Sequence, residues 1–313
     1  MDHATHLEPV VHRDWPAIGW EEQSWVPSVV WALSTDRPEL RVPYRSAVPA
    51  AIAALTPRPD VATFAAAEAA ARELSRFDAE AGNGAPALRP LLVHAEAAVS
   101  SRIDDVVASA SAIGTAGLGG RAGRAAELVV ANAHALAASD GVSTAAIARA
   151  HATLMADEPR HTPGRWRSQP TWIGPRSDSP VGAEYVPPYP TRVPTLMDDL
   201  VAFARRTDVS PLVSTAIAHA QFETVHPFSA GNGRVGRAFV HAMLTARGVT
   251  RDVVAPLSAG LLVDRPVYLD ALEAYRAGDV SPIVAVFADA AHHAIANARL
   301  LVDDVARVRA AWS

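Results

Sequence analysis

The sequence predicts a mainly α-helical protein with one short β-hairpin flap, and three observations carry that reading. Half of the 313 residues are apolar with alanine prominent among them, and alanine is the strongest helix former. Capping residues, apolar stripes and glycine stops recur along the chain, which is the punctuation of helices. β-formers between breakers gather in one proline-rich stretch, 163–194.

In chain order, residues 1–60 place Trp15, Trp20, Trp25 and Trp31 among prolines, the pattern of an extended strap held by aromatic anchors. Asp60 is placed as the N-cap of a helix that stops at Gly82-Asn83-Gly84. Further helices are expected at about 88–110, 119–138 and 143–156, the last opened by Ser143-Thr144. The flap centres on Thr171-Trp172-Ile173-Gly174. Leu196–Thr207 and Pro211–Val225 read as helices, and a glycine-rich loop leads into another that runs to Gly248. In that last helix Phe239, Val240, Met243 and Leu244 form an apolar stripe. We divide the chain into an N-terminal arm and helical region at 1–110, a main domain at 111–290 and a C-terminal helix at 291–313.

Composition narrows the function. All 28 basic residues are arginine, and 33 acids leave a net charge of −5, without the basic excess of a nucleic-acid binder. Without cysteine there is no disulfide, thiolate nucleophile or cysteine metal site, which fits a reducing cytoplasm. No apolar run approaches the roughly 18 residues of a membrane span, and the first residues lack the pattern of a signal peptide. A soluble cytoplasmic protein is expected, acting on neither nucleic acid nor membrane. Abundant alanine and arginine without lysine point weakly to a GC-rich bacterial genome.

The chemistry concentrates in His226-Pro227-Phe228-Ser229-Ala230-Gly231-Asn232-Gly233-Arg234. Gly231, Asn232 and Gly233 open a helix, so backbone N–H groups converge there as a nest for an anion. Arg234 and Arg237 lie on adjacent turns of that helix, where two planar forks suit a di- or triphosphate. His226 stands beside the cradle, where a histidine serves as general base for an attacking hydroxyl. Taken singly, His226 reads as a helix C-cap, the glycines as a tight turn and the arginines as partners of surface acids. All of them fall between residues 226 and 237, and that clustering favours a phosphate site.

This stretch resembles the signature of the Fic family: His-Pro-Phe, any residue, Asp or Glu, Gly-Asn-Gly-Arg, two residues, Arg. The approach Gln221-Phe222-Glu223-Thr224-Val225 is also similar, as are Pro163-Gly164-Arg165, Arg167, Trp172-Ile173-Gly174 and Tyr185-Val186-Pro187-Pro188 in the flap. Leu257-Ser258 and Tyr268 to Leu272 resemble the family's closing helices. The resemblance implies a Fic-like helical bundle with the flap over the active-site loop, and AMP transfer from ATP to a Ser, Thr or Tyr hydroxyl of a target protein. It implies His226 as base, with Asn232 and the glycine amides on the α-phosphate and Arg234 and Arg237 on the β- and γ-phosphates. Trp172, Ile173 and Gly174 would align the target by strand addition, Tyr268 is a weaker candidate for the nucleobase pocket, and Phe228 would be a buried anchor. A homo-oligomer is left open.

Two positions depart from the pattern. Ala230 stands where the family has the acid that holds Mg²⁺, so the metal loses its usual protein ligand. A weakened adenylyltransferase using phosphate-bound Mg²⁺, a transferase with another phosphate-containing donor, and a nucleotide-binding protein without transfer activity then compete. Ser100-Ser101-Arg102-Ile103-Asp104-Asp105 resembles the family's autoinhibitory helix, with Ser100 in place and Asp104 where a Glu is usual. Asp104 is one methylene shorter, so it is expected to reach Arg237 less well and to inhibit leakily. The alternative reading makes Ser101 and Asp104 an N-terminal capping box. Glu223 could help hold a metal if its side chain turns toward the nest, and His219 reads as a packed helix histidine.

Overall fold

A computed structural model of the chain describes residues 15–26 and 41–311. Among them the chain forms eleven α-helices and one two-stranded sheet. Strands β1 (Gly19–Trp25) and β2 (Val42–Val48) pair antiparallel, in register from Gly19 with Val48 to Trp25 with Val42. The expected irregular strap is therefore a sheet, and Trp31 lies outside the described residues. Trp15 is buried against Phe203 and Tyr275, with ring centroids 6.3 and 6.0 Å away. Trp25 meets Trp172 edge-on at 5.2 Å and the Ala47 amide donates to the Val186 carbonyl at 2.9 Å, so this sheet braces the flap.

The capping signals place the early helices. The Asp60 carboxylate accepts from the Thr63 amide at 2.9 Å and opens α1 (Val61–Ala81). Helix α2 (Ala85–Ile103) ends before the expected 110, because Asp105 takes a left-handed backbone, φ 60°, that no helix continues through. A separate short helix, α3 (Ala110–Gly117), follows a Ser109 cap. Then come α4 (Arg124–Ala137) and α5 (Thr144–Leu154), the latter capped by the Ser143 hydroxyl.

Helices α6 (Val193–Ala204), α7 (Pro211–Val225) and α8 (Asn232–Ala246) carry the glycine-rich loop between the last two. From Leu212 to Val225 every residue of α7 is buried, which makes it the central helix. The stripe of Phe239, Val240, Met243 and Leu244 packs α8 into one apolar core that reaches from Trp15 to Ala298. Helices α9 (Leu257–Val263) and α10 (Arg265–Arg276) lead to α11 (Ser281–Ala311), so the C-terminal helix starts well before the expected residue 291. No helix among the described residues is long and apolar enough to cross a membrane.

The flap is smaller than the expected hairpin. One antiparallel bridge forms, with Ile173 and Tyr185 exchanging amide–carbonyl bonds of 2.8 and 3.1 Å. Prolines at 170, 175, 180, 187 and 188 lack the N–H groups that a longer ladder needs.

A buried carboxylate fixes α2 against the core. Glu96 accepts from the Ser258 hydroxyl at 2.5 Å and amide at 3.0 Å, and lies 3.2 Å from His241 Nε2. The link ties α2 to α8 and α9 and sets where the end of α2 falls. Glu96→Ala leaves these donors without an acceptor in the interior, and a loss of about 3–5 kcal/mol in urea or thermal unfolding is expected.

Candidate active site

Helix α7 ends at His226, whose left-handed backbone, φ 49°, turns the chain out of the helix while its amide still donates to the Phe222 carbonyl at 2.8 Å. The carbonyls freed at that end need donors, and Arg167 supplies them. Its guanidinium reaches the carbonyls of His226 at 2.8 Å, Val225 at 3.3 Å and Pro188 at 2.5 Å. Tyr185 adds a bond from its hydroxyl to the Thr224 carbonyl at 2.7 Å. Arg167 is itself buried, and that burial pulls its guanidinium down to about 10.

The loop is then closed on itself. The Asn232 side chain accepts from the Phe228 amide and donates to the Phe228 carbonyl, both at 2.8 Å. Its amide is thus engaged by the loop, and Asn232 faces a ligand mainly through its backbone. Phe228 is fully buried, stacked on His151 at 3.7 Å and close to Trp166. His151 Nδ1 accepts from the Gly164 amide at 3.0 Å, so Nε2 carries the proton that points at the Ala230 carbonyl 3.2 Å away. Burial holds this histidine neutral, down to about 4. Gly231 has φ 74°, a conformation costly for any side chain with a Cβ, and delivers the chain to the start of α8.

Arg234 and Arg237 follow on α8, both buried. Arg237 donates to the Ser100 hydroxyl and carbonyl, each at 2.8 Å, and to Asp104 Oδ1 at 2.9 Å. Arg234 Nε lies 3.3 Å from Asp104 Oδ2, while Nε and Nη1 have no hydrogen-bond partner. Burial is the largest single influence on Arg237 and works against its charge, but Asp104, Tyr268 and Glu223 together outweigh it and hold the guanidinium above its ordinary value. Two sequence expectations are corrected here. Ser101 and Asp104 stand at the C-terminal end of α2, so they form no N-terminal capping box. The shorter acid also reaches both arginines, because Ser100 docks the helix end directly on Arg237.

These groups line a cavity of about 550 Å³, which also takes in His226, Gly231, Asn232, Gly233, Tyr268 and Ile173. Tyr268 is buried, and its hydroxyl is 2.8 Å from His219 Nε2. Burial pushes His226 down to about 3, so the imidazole is neutral near pH 7 and its lone pair is free to accept a proton. Of the flap residues, Ile173 faces this cavity, while Trp172 and Gly174 line a neighbouring one of about 730 Å³ with Arg160 and His161. Sequence reading missed His151 and Glu96 and named Arg167 and Tyr185 only within the flap resemblance, without their roles; all four act on the loop or on α2 from a distance along the chain.

The resemblance puts the oxygen that holds a divalent cation at position 230. Ala230 offers only its main-chain carbonyl, already met by His151, and Asp104 is engaged by two arginines. Among the described residues no three acids or histidines stand together as a metal site. The residues present do not fit Mg²⁺ held by the protein.

Residues 141–244, which contain the whole loop, match the model of the Fic/DOC family. The chain carries a Fic/DOC family domain. Over 69 residues it is 41% identical to the probable protein adenylyltransferase aq_aa38 of Aquifex aeolicus, covering 22% of each chain. Over 117 residues it is 30% identical to the protein adenylyltransferase Fic of Aedes aegypti, covering 36% of this chain and 22% of the relative. The matches thus span about a fifth of each curated relative. The fold is similar to a Fic family protein from Desulfovibrio desulfuricans, with TM-score 0.61 and 24% identity over 75% of this chain and 74% of that one. It is also similar to Fic-1 (aa134–508) from C. elegans, with TM-score 0.56 and 20% identity over 79% and 75% of the two chains.

Asn232 is the internal clamp of this Fic loop. Asn232→Asp replaces the donor to the Phe228 carbonyl by a second oxygen. A loss of about 1–3 kcal/mol in stability is expected, measured by thermal unfolding.

Proposed function

We propose that the chain transfers AMP from ATP to a hydroxyl side chain of a target protein, and that Asp104 restrains this activity. The observation that carries the reading is the opening of one cavity onto a neutral histidine, a helix N-terminus and two buried arginines, one with unpartnered donors. The names of the two curated relatives support it. The triphosphate lies along the start of α8, with the amides of the nest on the α-phosphate and Arg234 and Arg237 on the oxygens beyond it. The target oxygen attacks the α-phosphorus, the bond to the β-phosphate oxygen breaks, pyrophosphate leaves and the hydroxyl proton passes to His226 Nε2. Charge developing on the leaving group is met by the two arginines. No step is assigned to a metal ion.

In this reading Asp104 occupies the arginine positions that the γ-phosphate needs. Its carboxylate shares both guanidinium groups at 2.9 and 3.3 Å, so nucleotide must displace it or bind without them. Ala230 favours a second reading, in which the chain binds nucleotide and acts as an interaction protein without transfer. A donor other than ATP is the remaining variant of the same chemistry.

Incubation of the Asp104→Ala chain with ATP and Mg²⁺, followed by intact-mass analysis, is expected to show a gain of one AMP on the chain itself or on an added target. The gain disappears in the Asp104→Ala, His226→Ala double variant. ATP binding without any AMP gain would establish the second reading. Restoring the acid with Ala230→Asp is expected to raise transfer roughly tenfold or more, since a positioned cation contributes several kcal/mol to such transition states.

A further inference from the structure

Glu223 lies three residues before His226 at the end of α7, deep in the core. Its Oε2 is 3.9 Å from His226 Nδ1. Glu223 Oε1 and His226 Nδ1 are both buried and neither makes a close hydrogen bond to a side chain, and the acceptor nearest the ring on that side is the main-chain carbonyl of Glu223 itself. Space for the carboxylate is made by α8, where a Cβ on Gly236 would come within 2.9 Å of Oε1. The other charged or titratable groups around the pair are Arg237 on α8, Asp104 at the end of α2, Tyr268 and Arg276 on α10, and Arg167 beside the loop. None of them is bonded to the Glu223 carboxylate.

We infer that Glu223 is the positioning residue of His226, its carboxylate adding a negative charge to the main-chain carbonyl on the Nδ1 side and so favouring the Nδ1–H tautomer that presents the Nε2 lone pair to the incoming hydroxyl. This rests on the transferase reading above. A neutral imidazole has one proton for two nitrogens, and a base acting through Nε2 must keep it on Nδ1. An acceptor behind Nδ1 fixes that tautomer and steadies the imidazolium that forms when the hydroxyl proton arrives. The proton from the hydroxyl ends on Nε2, and the Nδ1 proton stays on the ring. The present gap is about 1 Å longer than a hydrogen bond, and such contacts tighten when substrate fills the site. Burial raises the Glu223 carboxyl to about 7. The acceptor is therefore protonated below neutrality, and the contact strengthens as pH rises through that value.

The test is ¹⁵N NMR of histidine-labelled protein with His226 assigned by difference from His226→Ala, from about pH 5.5 to 8.5. In the parent chain His226 is expected as the Nδ1–H tautomer, with an inflection near neutrality as Glu223 ionises. Glu223→Met removes the carboxylate at similar volume while leaving the main-chain carbonyl, and is expected to shift the balance away from the Nδ1–H tautomer and lower kcat about 10–100-fold at nearly constant KM for ATP. Glu223→Gln keeps an oxygen but removes the charge, and is expected to abolish the inflection and the matching limb of the pH–rate profile. A His226 signal in Glu223→Gln that keeps the parent inflection overturns the inference, and so does a parent tautomer in a folded Glu223→Met chain. If no chain transfers AMP the transferase reading fails by itself, and the tautomer measurement still decides the role of Glu223.

Discussion

Two guanidinium groups side by side inside a protein demand an anion, and in this Fic domain Asp104 meets that demand from another helix. Each carboxylate oxygen faces a different arginine, and Ser100 adds two more acceptors for Arg237. The surrounding structure serves that contact. Glu96 ties α2 to α8 and α9, which fixes where its last turn arrives. Asn232 and Phe228 hold the loop in the shape that starts α8, and Arg167 and Tyr185 hold the end of α7. Charged groups out of water are costly unless paired, so exchange of Asp104 for another anion is an ordinary electrostatic competition.

The contact is also incomplete. Asp104 keeps some exposure, with 28% of its side chain open to solvent, whereas the side chains of Arg234 and Arg237 are nearly closed off. Arg234 retains donors without partners. A triphosphate brings more oxygens than one carboxylate can, and it can satisfy those donors as well as the nest at the start of α8.

How much could be read in advance follows from distance along the chain. The loop was legible because His226, the glycines and both arginines sit in one short run, and the early helices were legible because Asp60 and Ser143 cap locally. The pairing of Asp104 with Arg237 spans 133 positions and came only through family resemblance. His151 under the loop and Glu96 on Ser258 had no local signal, because an isolated histidine or glutamate in a helix looks the same whether it faces solvent or a distant carbonyl. Polar, largely exposed residues obscured β1, and prolines that attract a hairpin reading at the flap also prevent the hairpin from growing beyond one bridge.

The central claim is that Asp104 competes with nucleotide for Arg234 and Arg237, and the direct measurement is calorimetric titration of ATP into the parent chain and Asp104→Ala at matched ionic strength. The account predicts affinity higher by about tenfold or more in the variant, close to the roughly 1.4 kcal/mol of a single displaced charge contact. Equal affinities would contradict it.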